Sequence, residues 1–530
     1  MIFFVVQKTL KFSLKSLKST GLAVSVKILN NPGALTLPFF AFVTWVTWAV
    51  RGHFFFWDTV QLASQHADFF YQNNFSTFLL PDEMDSGHPP TFGFYLAIIW
   101  KIMGKSLENT HLAMLPFLFG IVWQAWRVGE RLLGEGWAYL FMLLLFAHPV
   151  VASQCVLVSP DVALIFFFLL SLNAIFREKK ILLSLAIFGL AAMSMRGMMV
   201  VAGLFFYQFL SAYNFAKVLN FRKVTEGRYI DGVVVNHPVN GTRPTFGKRL
   251  KFPERIASII LPYIFGGLFA LIFFIDHYIN KGWIGYHTGS SWAEAFQTVD
   301  FKGLMKNIFL LGWRLVDFGH LFIGLTILIL TYVIKRTVGK SFPTTGQLWL
   351  LLLMLIVVLT PTLIIYQGLL NHRYLLPIYI TTCLLCVKLI SDLKDWRQQL
   401  RISVFVFLGL ASGNFWVYTQ PIATGWDSTL AHLPYYRLRN EMLQFIDSQK
   451  INYGDIGTAF PNLRPFALID LKIDPSVSSF ARLDLNKNRY VFYSNVMNEL
   501  TGEELDELKK HWQVVHILRG GQVEVILYKK

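Results

Sequence analysis

Residues 56–90 read FWDTVQLASQHADFFYQNNFSTFLLPDEMDSGHPP, a polar and acidic stretch inside an otherwise apolar chain. Between Arg51 and Thr110 the six carboxylates of Asp58, Asp68, Asp82, Glu83, Asp85 and Glu108 stand against three basic residues. The apolar run 35–50 leads directly into this stretch and ends at Arg51. A carboxylate among aromatics at the end of a first apolar run is expected where water meets lipid. Ionisable groups at that depth are costly enough to point to a functional role.

Working outward, the 530 residues are 54% hydrophobic, 16% aromatic and only 15% charged, with a mean hydropathy of +0.47. Soluble domains carry roughly 25% charged residues, so the composition predicts a polytopic α-helical membrane protein. The net charge is +16, but from Gln420 onward 13 basic residues cancel 13 acidic ones. The excess therefore lies in the apolar part, mostly in short loops, which the positive-inside rule assigns to the cytoplasm. Nucleic-acid binding would need a basic face on a folded module, and no such module is visible, so no nucleic-acid partner is expected.

Residues 1–33 hold Lys8, Lys11, Lys15, Lys18 and Lys27 and no acid, which predicts a cytoplasmic amphipathic arm on the membrane surface. Spans are predicted at 35–50, 111–126, 137–151, 162–176, 181–195, 198–213, 256–275, 308–334, 348–366, 374–389 and 402–418, eleven in all. The run 89–103 is short and opens with two prolines. Were it to cross, every later basic loop would be inverted. It is expected to be a juxtamembrane or re-entrant helix. The organisation is thus an arm (1–33), a transmembrane domain (34–420) whose first outer loop is 51–110, and an extracytoplasmic α/β domain (425–530). In that tail Tyr435–Gln449 reads as an amphipathic helix, Asp455–Phe460 and Arg489–Ser494 as strands, and Thr501 with Glu504 as a capping box. The segments around Arg519-Gly520-Gly521-Gln522 read as a hairpin.

Several residues carry two readings. Asp58 suits a general base or a helix N-cap. Asp161 suits a site carboxylate or, after Pro160, a helix start. His88 can orient an acceptor, ligate a metal or cap a helix. Arg373 offers a fork to phosphate or snorkels to the interface, and Arg196 is a second phosphate contact. Arg314 and Asp317, three apart, are expected to pair. The aromatics Phe54–Trp57, Trp283, Tyr286 and Trp292 stack on a ligand or anchor the interface. Cys383 and Cys386 form a C-x-x-C inside an apolar span with no second pair, which reads as packing. No tight ligand spacing calls for a metal; a divalent ion stays open, and no cofactor is assigned.

Taken in order, Trp57-Asp58-Thr59, Gly87-His88-Pro89-Pro90, Ser159-Pro160-Asp161 and His372-Arg373-Tyr374-Leu375-Leu376-Pro377 resemble the GT-C glycosyltransferases over residues 35–420. The closest groups are the protein O-mannosyltransferases (family 39) and the lipid A aminoarabinose transferases (family 83). The resemblance implies inverting transfer from a polyprenyl-phosphate-sugar donor on the non-cytoplasmic side of a bacterial inner membrane. The acceptor would be lipid A, another envelope glycan or a protein. It further implies Asp58 as catalytic base, Asp161 as a second acid facing it, His88 on the acceptor side, and Arg373-Tyr374 at the carrier phosphate; Arg196, on another outer turn, is the candidate second phosphate contact by its position. The family has Asp-Glu where this chain has Asp58-Thr59. A transporter or flippase of a lipid-linked saccharide is the alternative, expected to hold its essential charges near mid-membrane. A non-catalytic assembly or sensor protein, with the tail as its binding module, is a third.

Overall fold

The computed structural model describes residues 35–225, 252–289, 293–338, 343–420, 422–472 and 479–530. The predicted arm 1–33, most of the basic loop after 213, and Trp292 lie outside the described residues or their described side chains.

The first helix, α1 (Leu37–Val50), carries proline in its first turn, where a missing N–H is harmless. A turn of π-helix at Val60–Gln65 runs into α2 (His66–Gln72). The predicted juxtamembrane helix is α3 (Thr91–Met103). Its 13 residues reach only about 20 Å, short of the roughly 30 Å of hydrocarbon. There follow α4 (Leu107–Leu112), α5 (Leu115–Leu133), α6 (Glu135–Ala147), α7 (Pro149–Cys155), α8 (Pro160–Phe176), α9 (Lys180–Met193) and α10 (Met195–Thr225). The second half holds α11 (Phe252–Lys281), α12 (Phe301–Arg314), α13 (His320–Val338), α14 (Pro343–Ile365), α15 (Leu376–Ser391) and α16 (Trp396–Gly413).

Among the described residues five helical stretches are long and apolar enough to cross a membrane, or six with α6 and α7 as one bent span. The helices α1, α3, α8 and α9 are shorter apolar ones. Large apolar side chains such as Trp45, Ile102, Ile181 and Phe265 stand at least three-fifths exposed on these helices. In water such patches would drive association, whereas acyl chains solvate them.

Two predicted spans differ from expectation. The run 137–151 is bent by 72° at His148, whose extended backbone (ψ 122°) follows from the proline after it. The run 308–334 is broken into α12 and α13 at 315–319, where Phe318 and Gly319 take φ of +45° and +81°. Apolar periodicity continues through the break, but Asp317 turns inward to partners elsewhere in the chain. Gly319 is required there because a Cβ would meet the Gly409 carbonyl oxygen at 2.4 Å.

The tail adds α17 (Pro434–Ser448), a short α18 (Phe466–Ile469), α19 (Gly502–His511) and five strands. These are β1 (Ile456–Thr458), β2 (Ala481–Arg482), β3 (Tyr490–Ser494), β4 (Gln513–Gly520) and β5 (Val523–Lys529), in the order β2-β1-β3-β5-β4. β1 is parallel to β2 and β3, and the rest is antiparallel. The expected hairpin closes through Gly521-Gln522, with Gly521 at φ +56°. The Thr501–Glu504 capping box forms as predicted. One apolar core runs from α1 and α8 through α15 into α17 and β5, so the sheet is seated on the helices rather than tethered to them.

Candidate active site

Asp58 is delivered by the loop that follows α1. Thr59 fixes the turn, its hydroxyl accepting from the Phe56 N–H (2.9 Å) and donating to the Phe56 carbonyl (2.7 Å). Trp57 takes φ +47° and packs edge-on against Phe460. The Phe55 N–H donates to the Ile469 carbonyl (2.9 Å), and Ser64 donates to the Leu468 carbonyl (2.5 Å). The sheet domain therefore holds the loop in place. The Asp58 carboxylate caps no helix: Oδ2 accepts from Arg373 Nη2, and Oδ1, also buried, has no hydrogen-bond partner.

Asp161 sits in the first turn of α8, whose N-cap is Ser159. Its two oxygens are divided between guanidiniums. Oδ1 accepts from Arg196 Nη1 (2.6 Å), and Oδ2 lies 3.5 Å from Arg373 Nη1. Arg196 opens α10 and also donates to the Arg373 carbonyl (2.9 Å). Tyr374 carries both cations on its ring, the Arg196 guanidinium 4.3 Å and the Arg373 guanidinium 5.2 Å from the centroid. His88 Nδ1 accepts from the Met195 N–H (3.4 Å), beside Arg196. Burial, then Arg196 and His66, lower the His88 pKa to about 4, leaving a neutral acceptor at physiological pH. All six residues singled out in the sequence thus meet in one cluster, at helix ends and loops drawn from five separate parts of the chain.

A seventh member escaped the sequence reading. Asp427, in the turn Trp426–Ser428 leading into the tail, lies with Oδ2 3.4 Å from Arg373 Nε. Gln154 of α7 donates to its backbone carbonyl (2.9 Å). The available signal was the triplet Trp426-Asp427-Ser428, which echoes Trp57-Asp58-Thr59. Asp58, Asp161, Asp427 and Arg373 are each no more than 3% exposed. Three carboxylates and two guanidiniums are therefore gathered in a space with little water, where such charges must neutralise one another.

Two flanking networks brace this cluster. Next to Arg373, His372 Nε2 lies 2.9 Å from both oxygens of Asp317. Tyr418 donates to the same carboxylate, and Arg314 Nη1 lies 3.4 Å from it, the pairing expected from their spacing. Burial raises the Asp317 pKa, but hydrogen bonds from His320, His372 and Tyr418 outweigh it and hold the group below the usual carboxylate range. The second network latches the loop carrying His88. Lys281 Nζ lies 2.7 Å from both Asp82 and Asp85, and His277 Nε2 3.0 Å from Asp85. Asp85 is again held low: burial opposes this, and the His277, Lys281 and Gly87 hydrogen bonds win. Gly87 (φ +71°) lies so close to Gly285 that a Cβ would come within 1.8 Å of its carbonyl oxygen.

Among the described residues no three His, Cys, Asp or Glu side chains are grouped to hold a metal ion. The carboxylates of Asp58, Asp161 and Asp427 enclose a guanidinium, so the residues present do not fit a divalent cation there.

No family model and no curated protein matches the chain. Two solved structures do. ArnT from Cupriavidus metallidurans bound to undecaprenyl phosphate superposes with a TM-score of 0.50 at 10% identity, covering 96% of this chain and 98% of that one. ArnT from the same organism in the apo state gives 0.51 at 11% identity, covering 93% and 97%. Over nearly its whole length this chain shares the fold of these two structures, a set of apolar helices followed by a small C-terminal sheet domain.

Proposed function

We propose that this chain is an inverting membrane glycosyltransferase. It moves a sugar from a polyprenyl-phosphate carrier to an acceptor hydroxyl or phosphate on the outer face of a bacterial inner membrane. The observation that carries this reading is the buried meeting of Asp58, Asp161, Arg196 and Arg373 within a fold whose solved neighbour binds undecaprenyl phosphate.

In this mechanism Asp58 accepts the proton of the acceptor group as its oxygen attacks the anomeric carbon. The bond from that carbon to the phosphate oxygen breaks, and its electron pair leaves with the phosphate. Arg373 and Arg196 meet the charge that develops there, and fixed cations in a dry site are worth far more than in water. Tyr374 offers its ring face to both guanidiniums. Asp161 and His88 shape the acceptor side, His88 as a neutral group. The sheet domain, which holds the Asp58 loop through the Ile469 and Leu468 carbonyls, selects the acceptor in this reading, an envelope lipid, a glycan or a protein. The amino-terminal arm is then cytoplasmic and the sheet domain periplasmic.

The charged cluster lies at helix ends rather than midway along spans, which favours transfer over passage of a lipid-linked saccharide. Mass spectrometry of envelope lipids and glycans from cells with and without the protein tests the reading. A mass difference of one sugar on a defined acceptor, absent with Asp58→Asn, is expected; identical envelopes would overturn it.

A further inference from the structure

Arg373 is the cation on which three carboxylates converge, and the way its donors are divided bears on how the site starts a reaction. A guanidinium grips a phosphate with two adjacent N–H groups. Two such edges exist, Nε with Nη2 and Nη1 with Nη2, and both include Nη2. In this structure Nη2 is held by Asp58. Of the outer positions, Nη1 lies 3.5 Å from Asp161 Oδ2, and Nε faces Asp427 Oδ2 at 3.4 Å without a hydrogen bond to it. Nη2 carries one hydrogen on each edge: a phosphate on the edge that Asp58 holds must displace it, and on the other edge it would set a second anion on the same nitrogen, whereas only one of Asp161 and Asp427 lies in its way on either edge.

We infer that the donor phosphate and Asp58 compete for Nη2 of Arg373, so that arrival of the donor releases Asp58 to act as base. The inference rests on the reading of the site as a polyprenyl-phosphate-sugar transferase and adds an order of events to it. Without donor, Oδ2 and the charge of Asp58 are committed to the guanidinium, which makes the carboxylate a poor proton acceptor even though Oδ1 is unpaired. With donor, the phosphate oxygens replace it, and Asp427 or Asp161 keeps the arginine from leaving with the ligand. Asp58 Oδ1, buried and without a hydrogen-bond partner in the ion-paired state, is then the atom free to meet an acceptor hydroxyl. No bond is made or broken in the exchange: one anion replaces another on the same cation. The arrangement ties base strength to the presence of the sugar donor.

The experiment is binding of undecaprenyl phosphate to the full-length protein in nanodiscs, comparing wild type, Asp58→Asn and Asp427→Asn. Removing a direct competitor for a buried guanidinium should tighten binding about tenfold or more. Asp427→Asn removes the same formal charge from the same arginine and serves as the electrostatic control, with a change of about threefold or less expected. Equal tightening in both variants, or weaker binding in Asp58→Asn, overturns the exchange while leaving donor binding intact. If wild type does not bind undecaprenyl phosphate at all, the donor reading falls and the exchange with it. Should Asp58→Asn not fold, the wild-type structure with bound undecaprenyl phosphate decides the matter. Phosphate oxygens on Nη2, with Asp58 more than about 4 Å away, support the exchange, and an unbroken Asp58–Arg373 pair overturns it.

Discussion

Asp58 and Arg373, 315 positions apart in the chain, form a direct ion pair in which both side chains are almost fully buried. The pair joins the loop after α1 to the turn before α15, and Asp161 and Asp427 close around it. Charges buried in this way are stable only as a set, so the cluster behaves as one unit under substitution.

Asp58→Asn keeps the shape of the side chain and removes the base. Transfer should fall by about 10²–10⁴-fold, while the protein still inserts and elutes as a single species. A turnover assay with a size-exclusion profile checks both.

Arg373→Lys keeps the charge but replaces a planar fork by a point donor. Donor KM should rise by about 10–100-fold, since a second hydrogen bond to the phosphate is lost, with a smaller change for the acceptor. Arg373→Ala would leave three buried carboxylates short of a cation and should accumulate poorly.

Asp317→Ala should destabilise the protein by about 3–5 kcal/mol, because it leaves the buried Arg314 and the His372 ring without their anion. The readout is a lowered melting temperature of the detergent-solubilised protein. Transfer should fall too, since His372 immediately precedes Arg373.

How much of this was legible in the sequence differs from part to part. The acidic loop stood out because carboxylates are rare against an apolar background, the order of four short motifs pointed to five of the six residues that meet, and Arg196 stood out by its place on an outer turn. The hairpin at Gly520-Gly521 and the capping box at Thr501 are local chemistry and were readable as such. Asp427 was not, because it is one acid among thirteen in a charge-balanced tail. The Asp317–His372 contact was hidden for a related reason: an i,i+3 partner, Arg314, already explained Asp317, and no periodicity marks a partner 55 residues away. The helix break at 315–319 was masked by apolar residues on both sides, and the two-residue strand β2 is too short to leave a pattern.

Gly87→Ala should unseat the loop that carries His88. The new Cβ would overlap the Gly285 carbonyl, and φ +71° is itself unfavourable for alanine. A lower melting temperature together with at least a tenfold loss of transfer is expected, given that misplacing a site group by about 1 Å can cost 10²-fold.

Acid should destabilise the protein through its buried neutral histidines. His66 and His432 titrate near pH 4 when folded, mainly through burial, against 6.5 unfolded. As pH falls below 6.5 the unfolded chain takes up protons that the folded one refuses, so stability is lost between pH 6.5 and 4. By pH 5 each residue accounts for a loss of about 2 kcal/mol. The melting temperature should drop steadily over that window, and His432→Asn should flatten the slope.

The most direct measurement uses purified full-length protein in proteoliposomes, supplied with an undecaprenyl-phosphate-linked sugar labelled in the sugar and an envelope-lipid extract as acceptor. The account predicts that label appears on the acceptor as free undecaprenyl phosphate accumulates with wild type, and that neither occurs with Asp58→Asn. Label crossing the bilayer without a new product, or Asp58→Asn turning over at the wild-type rate, would contradict it.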